Sequence, residues 1–195
     1  MINRDELRAQ VIPNEPLINT SLYVRVERAT APTAWRAILV YHLLPHQNGN
    51  QHNIFVDVLD TGGRWADTSG MSVGWTWDGR RDDEKIDPRP FEKRPPEPRA
   101  QVDLHKGQIT SVWLNDPNGW PSDKVHGLRS DVADVPGNNL YHNSFGVLFQ
   151  LMTREVAPPI VIAPGPSEPG LTLELLAAQV AELKRRFDMF EGDGR

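Results

Sequence analysis

Prolines and glycines set the architecture open to this chain. There are 17 of the first and 15 of the second among 195 residues, and before residue 171 they return often enough to cut the sequence into short pieces. Proline fixes φ and has no amide donor, so it stays out of helix interiors and central strands. Glycine marks turns and backbone of positive φ. Short pieces joined by turns are the material of an all-β fold.

The pieces carry the period of strands. Residues 21–27 (SLYVRVE) and 53–59 (NIFVDVL) alternate apolar and polar, as half-buried strands do. Residues 35–44 (WRAILVYHLL) run almost continuously apolar and read as a central strand closed by Pro45. Further strands are expected over 71–77, 101–105, 108–114, 123–128 and 144–152, with Lys106-Gly107 as a tight hairpin turn between 101–105 and 108–114. Residues 115–119 (NDPNG) form another turn, and 80–100, with Pro88, Pro90, Pro95, Pro96 and Pro98, an extended surface loop. Ahead of all of these, Asn3 caps a short helix over 4–11 that stops before Pro13. The expectation is an antiparallel β-sandwich of about eight strands, immunoglobulin-like or jelly-roll-like.

The period changes near the end. Leu173, Leu176, Val180, Leu183, Phe187 and Phe190 are spaced 3, 4, 3, 4, 3, an a/d heptad seam with Thr172 as N-cap. The division is therefore an N-terminal extension with a short helix over 1–20, a β-sandwich over 21–156, a proline-rich spacer over 157–170 and an oligomerisation helix over 171–191. The seam either joins copies of the chain or docks on its own sandwich. Its narrowness and the spacer favour self-association, and two bulky Phe positions favour a homotrimer.

Charge and composition remove several classes of function. A net charge of −5 lacks the basic excess with which proteins neutralise phosphates, so nucleic acid is not an expected partner. No apolar window approaches the ~18 residues a bilayer span needs, and residues 1–8 (MINRDELR) do not make a signal peptide. With no cysteine there is no disulfide, thiolate metal site or cysteine nucleophile.

Catalytic patterns are weak. The histidines His42, His46, His52, His105, His126 and His142 make no HxxxH pair; His46 and His52 either form local hydrogen bonds or meet His126 or His142 around a metal. Asp116, Asp123, Asp131 and Asp134 either cap turns or hold a structural calcium. Residues 70–74 (GMSVG) are not read as the nucleophile elbow of a serine hydrolase. Asp57, Asp60, Asp67 and Asp78 supply the acids of a glycosidase in number only. The expectation is a protein without cofactor and without catalysis.

Aromatic residues point to binding. Trp75 and Trp77, at i and i+2, share one face of a strand and are read as coplanar indoles beside Asp78, able to stack on sugar rings or to plug the core. Trp120, in a turn, is expected to be exposed. The ligand-binding set is Trp75, Trp77, Asp78, Trp120 and His126.

Residues 52–150 carry a resemblance. HNIFVDVLDTGGRW, VGWTWDG, EKRPPEP, SDKVHGLRSD and PGNNLYHNSFGVLFQ resemble a β-sandwich module found beside lysozyme-like glycoside hydrolases of bacteria and phages. The resemblance implies an immunoglobulin-like or carbohydrate-binding accessory domain. No hydrolase signature accompanies it here, and the flanking extension and heptad seam make the chain look like virion-attached phage proteins of decoration, fibre or baseplate type. Such a protein is made in the host cytoplasm and leaves by lysis. It would have copies of itself, other virion proteins and cell-surface glycans as partners; a free-standing bacterial module and a cryptic glycoside hydrolase are the alternatives.

Overall fold

Alternation along the strands decides which side chains meet, and two faces of one sheet turn out to be covered. The structure is a computed structural model, and it describes residues 2–11, 18–19, 24–43, 47, 49, 51–130 and 143–153. These belong to the first of the chain's two units, Met1–Ala163. The elements are α1 (Arg4–Ala9), β1 (Ile18–Asn19), β2 (Arg25–Glu27), β3 (Thr33–Leu43), β4 (Asn53–Leu59), β5 (Ser72–Trp77), β6 (Arg89–Pro90), β7 (Ala100–Asp103), β8 (Thr110–Asn115), β9 (Lys124–Leu128) and β10 (Ser144–Thr153). The expected seam helix over 171–191, with Leu173, Leu176, Val180, Leu183, Phe187 and Phe190, lies outside the described residues.

Two five-stranded sheets form, in the orders β1-β3-β10-β4-β7 and β2-β9-β8-β5-β6. The second is antiparallel throughout. The first is mixed, which corrects the expectation of a wholly antiparallel fold: β10 runs antiparallel to β3 but parallel to β4, and β1 is parallel to β3. The reason is insertion. β3 and β4 run in opposite directions, as hairpin partners would, and the last strand enters between them. A strand as apolar as SFGVLFQLM belongs where both faces are covered, and residues 144–149 are all buried.

The expected hairpin at Lys106-Gly107 does not form. A turn is present there, with the Gln108 amide donating to the His105 carbonyl at 3.1 Å and Gly107 at φ +83°. It carries the chain from the edge of the first sheet to the second instead of pairing its flanks. Val102 and Leu104 on one side of the turn, and Val112 and Leu114 on the other, enter the same core from the two sheets. Strands that bury their apolar faces against each other across a core cannot also be neighbours in one sheet. Among the described residues ten strands form where about eight were expected, β1 and β6 being two residues each. β6 lies in the proline-rich loop, and Pro90 is tolerated because β6 is an edge strand.

The inner core joins Ala37, Val40, Ile54, Val56 and Val58 of the first sheet to Val73, Val112, Leu114, Val125 and Leu128 of the second. A second apolar cluster covers the opposite face of the first sheet: Ile2 and Leu7 of the N-terminal segment pack with Ile38, Leu39, Leu43, Phe55, Leu59 and Leu148. Every residue of β4 is consequently buried, although its sequence reads as a strand with one wet face. α1 is held at its start by a capping box, Asn3 Oδ1 accepting from the Glu6 amide at 2.8 Å and Glu6 Oε2 from the Asn3 amide at 3.2 Å. Leu7 is fully buried over Gly146, where any Cβ would overlap its side chain. Burying a leucine in this way is worth roughly 1.5–3 kcal/mol.

Beside Leu7, the Arg4 guanidinium reaches down to Asp57 at 2.9 Å, both groups being buried. The Val58 amide at 2.9 Å and the Arg99 amide at 3.3 Å complete the carboxylate's donors. Burial outweighs these charges and hydrogen bonds and raises the Asp57 carboxyl above its ordinary value. A raised folded-state pKa favours the fold fully below the unfolded value and loses that contribution as pH rises through the folded one. At neutral pH the buried carboxylate therefore depends on Arg4. Arg4→Ala is expected to destabilise the protein by about 3–5 kcal/mol near pH 7 and by clearly less near pH 3.5. Urea unfolding at the two pH values measures the difference, and an equal loss at both would refute the assignment.

Candidate functional site

The six tryptophans are sent to different places, and strand parity explains most of them. Trp35 is in the inner core, its Nε1 donating to Asp116 at 2.6 Å. Trp65 lies under α1, with the Arg4 guanidinium 3.8 Å from its ring centroid and its Nε1 donating to Asp5 at 3.3 Å. Trp120 is exposed at 43%, the one large hydrophobic side chain so exposed among the described residues.

Trp75 and Trp77 have the parity of Val73, whose side chain is in the core. They continue its inward-facing row to the end of the sandwich, where both are half-buried and Trp75 still packs on the core. Their ring centroids are 5.5 Å apart and the planes are tilted by 34°. They are thus an angled pair and not the coplanar platform expected. Trp75 Nε1 donates to the Asp87 carbonyl at 3.1 Å, and the Arg89 guanidinium is 5.7 Å from its ring. Trp77 stands opposite Thr110, which is fully buried with its hydroxyl unpartnered. Gln108 Oε1 and Arg80 Nε at the same strand end are also buried without a hydrogen bond. Buried polar atoms left unpaired are costly, and three of them beside two half-buried indoles mark this end of the sandwich. Asp78 follows as an exposed residue in a turn with Gly79 at φ +79°.

The five expected ligand-binding residues do not converge. Trp75, Trp77 and Asp78 share the Thr110 end of β5 and β8, whereas Trp120 follows Asn115 at the other end of β8. His126 lies on the outer face of the same sheet, its Nδ1 2.9 Å from Ser111 Oγ and its Nε2 3.1 Å from Glu27. That outer face also carries Trp113, which is not among the five residues expected from the sequence. The signal was available: in TSVWLN, Val112 and Leu114 point inward, so Ser111, Trp113 and Asn115 must point outward. The indole lies against Gly74 so closely that a Cβ there would overlap it. Its Nε1 donates to Asn115 Oδ1 at 3.1 Å, Asn115 Nδ2 donates to Ser72 Oγ at 3.2 Å, and the Lys124 ammonium is 4.9 Å from the ring centroid.

The acidic residues have structural partners. Asp123 is buried among cations and amides: Arg28, Arg36 at 3.1 Å, the Ala29 amide at 2.9 Å and the Ala37 amide at 3.0 Å. Asp116 holds the 115–119 turn by accepting from the Asn118 amide at 2.7 Å. The calcium reading fails for these two; Asp131 and Asp134, like His46 and His142, lie outside the described residues. Asp60 accepts from the Arg64 amide at 2.9 Å, the Gly62 amide at 2.8 Å and the Arg64 guanidinium, bonds that hold its exposed carboxyl below the ordinary value, the Arg64 amide foremost. Asp67 is likewise held down by the Ser69 hydroxyl and amide. With Asp57 paired to Arg4, three of the four candidate glycosidase acids are engaged in turns or ion pairs. Residues 70–74 do spell G-x-S-x-G, but Ser72 opens strand β5 and bonds Asn115. A nucleophile elbow needs its serine at a strand-to-helix turn.

Comparison with protein-family models, with curated proteins and with solved structures gives no match. A side chain at position 74 would have to displace the Trp113 ring. Gly74→Ala is expected to cost about 1–3 kcal/mol of stability and to shift Trp113 fluorescence, read by urea unfolding and by emission spectra against a Trp113→Phe background.

Proposed function

We propose that this chain is a non-enzymatic display or structural protein of a phage virion, of decoration, fibre or baseplate type, that binds glycans weakly. The observation that carries the binding half is the half-buried, angled Trp75–Trp77 pair at the end of the sandwich, followed by the exposed Asp78. Sugar rings offer an apolar C–H face to indoles and hydroxyls to a carboxylate, and this end supplies both in Trp75, Trp77 and Asp78. The fold, in this reading, is an immunoglobulin-like or jelly-roll-like sandwich adapted by the inserted β10.

The assembly half rests on the heptad seam Leu173–Phe190 and the proline-rich stretch before it. Joining three copies would multiply shallow sites by effective concentration without any new contact. The same seam would let the protein reinforce a particle even where sugar binding is weak. A free-standing bacterial module would bind sugar as a monomer and would not travel with particles.

Two measurements test this. Trp77→Ala is expected to weaken binding of a chito-oligosaccharide about tenfold, equivalent to ~1.4 kcal/mol, in an NMR titration of the full chain; unchanged affinity would remove the tryptophan pair from the reading. By light scattering the intact chain should have three times the mass of its Leu183→Asp variant. Equal monomeric masses would remove the assembly.

A further inference from the structure

The outer face of the second sheet is arranged in rows across the strands. Gly74, Trp113, Lys124 and Glu27 follow one another across β5, β8, β9 and β2. The next row contains Ser111 and His126. Three features of these rows bear on a ligand. The Trp113 indole is bedded on glycine backbone, and its N–H is already satisfied by Asn115, so what it has left to offer is a ring face. Lys124 lies over that ring and has no carboxylate within ion-pair distance among the described residues, and the same is true of Arg25. Glu27, the acid of the row, is engaged by His126.

We infer that this face binds a pyranoside carrying a carboxylate. The sugar's C–H face would cover the Trp113 ring, because polarised C–H groups suit the negative face of a π-system. Lys124 has a flexible four-carbon stem and would swing from the ring to the sugar carboxylate. Asn115 and Ser72, hydrogen-bonded to each other beside the ring, match the remaining hydroxyls. Charge complementarity selects the acidic sugar over a neutral one: among the described residues the strands of this face carry two cations, Lys124 and Arg25, against the single carboxylate of Glu27, which is hydrogen-bonded to His126. Two cations on a chain of net charge −5 do not match the repeated phosphates of a nucleic acid. This site lies on the opposite face of β5 from Trp75 and Trp77 and goes beyond the function proposed above, since either can hold without the other.

The test titrates the full chain with tetragalacturonate, with its carboxyl-reduced counterpart and with tetrathymidylate, read by NMR and calorimetry. The acidic sugar is expected to bind at least fivefold tighter than the reduced one, and Lys124→Gln should abolish that preference. Trp113→Ala should weaken both about tenfold; Trp113→Phe, which keeps a ring over Gly74, should retain binding if Trp113→Ala fails to fold. Shifts should appear at Ser111, Lys124 and Asn115. Equal affinity for the two sugars, no binding of either, or equal affinity for tetrathymidylate would overturn the inference. So would loss of acidic-sugar binding in Trp77→Ala with Lys124→Gln unaffected, an outcome that would leave the tryptophan-pair reading standing.

Discussion

Asp123 is buried without solvent, and a carboxylate in that position needs cations and amides from the surrounding chain. The effective penalty for an unpaired ion in a protein interior is on the order of several kcal/mol. Here Arg28 and Arg36 supply charge, and the Ala29 and Ala37 amides supply donors. Those partners come from the β2–β3 connection and from β3, while Asp123 itself stands just before β9. The backbone reinforces the joint: the Asp123 amide donates to the Trp35 carbonyl and the Trp35 amide to the Pro121 carbonyl, each at 2.9 Å. One strand of each sheet is thereby pinned at a shared corner, and the register of the inner core follows from it. Arg36 also donates to the Ala29 and Ala31 carbonyls, so the turn into β3 is shaped by the same cluster.

The first sheet is covered on both faces and the second on one. α1 and the Arg4–Asp57 pair cover the outer face of the first sheet at Ile38, Leu39, Phe55, Asp57 and Leu148. The outer face of the second sheet remains polar and aromatic, with Trp113, Lys124 and the Glu27–His126–Ser111 chain in view. The Trp75–Trp77 pair on β5 and the Trp113 ring on β8 occupy opposite faces of the same sheet, separated by the alternation that defines a strand.

Local features were readable in advance because they depend on neighbours in the chain. The strand over 53–59, the Asn3 cap and the Asp116–Gly119 turn are each dictated within a few residues, and each forms. The Lys106-Gly107 turn was readable as a turn, but not as a crossing between sheets. Turn chemistry is the same in both cases, and what differs is which distant strand accepts the next segment. The tryptophans show the limit more sharply. Parity was enough to place Trp113 outward with Ser111 and Trp75 inward with Val73, yet parity says nothing of tilt, and the 34° between Trp75 and Trp77 comes from packing at the strand end.

The amino-acid order alone determined an all-β chain with a helix cap at its start, most strand boundaries, and the turn positions, because hydrophobic period, proline and glycine act over short distances. Tertiary structure alone decided the insertion of β10 between β3 and β4, the parallel pairing that results, and the partners of buried charge. Arg4 finds Asp57 across 53 residues and Ala37 finds Asp123 across 86. Such pairings are chosen by which arrangement leaves the fewest buried groups unpaired, a property of the whole packed chain that no local window contains.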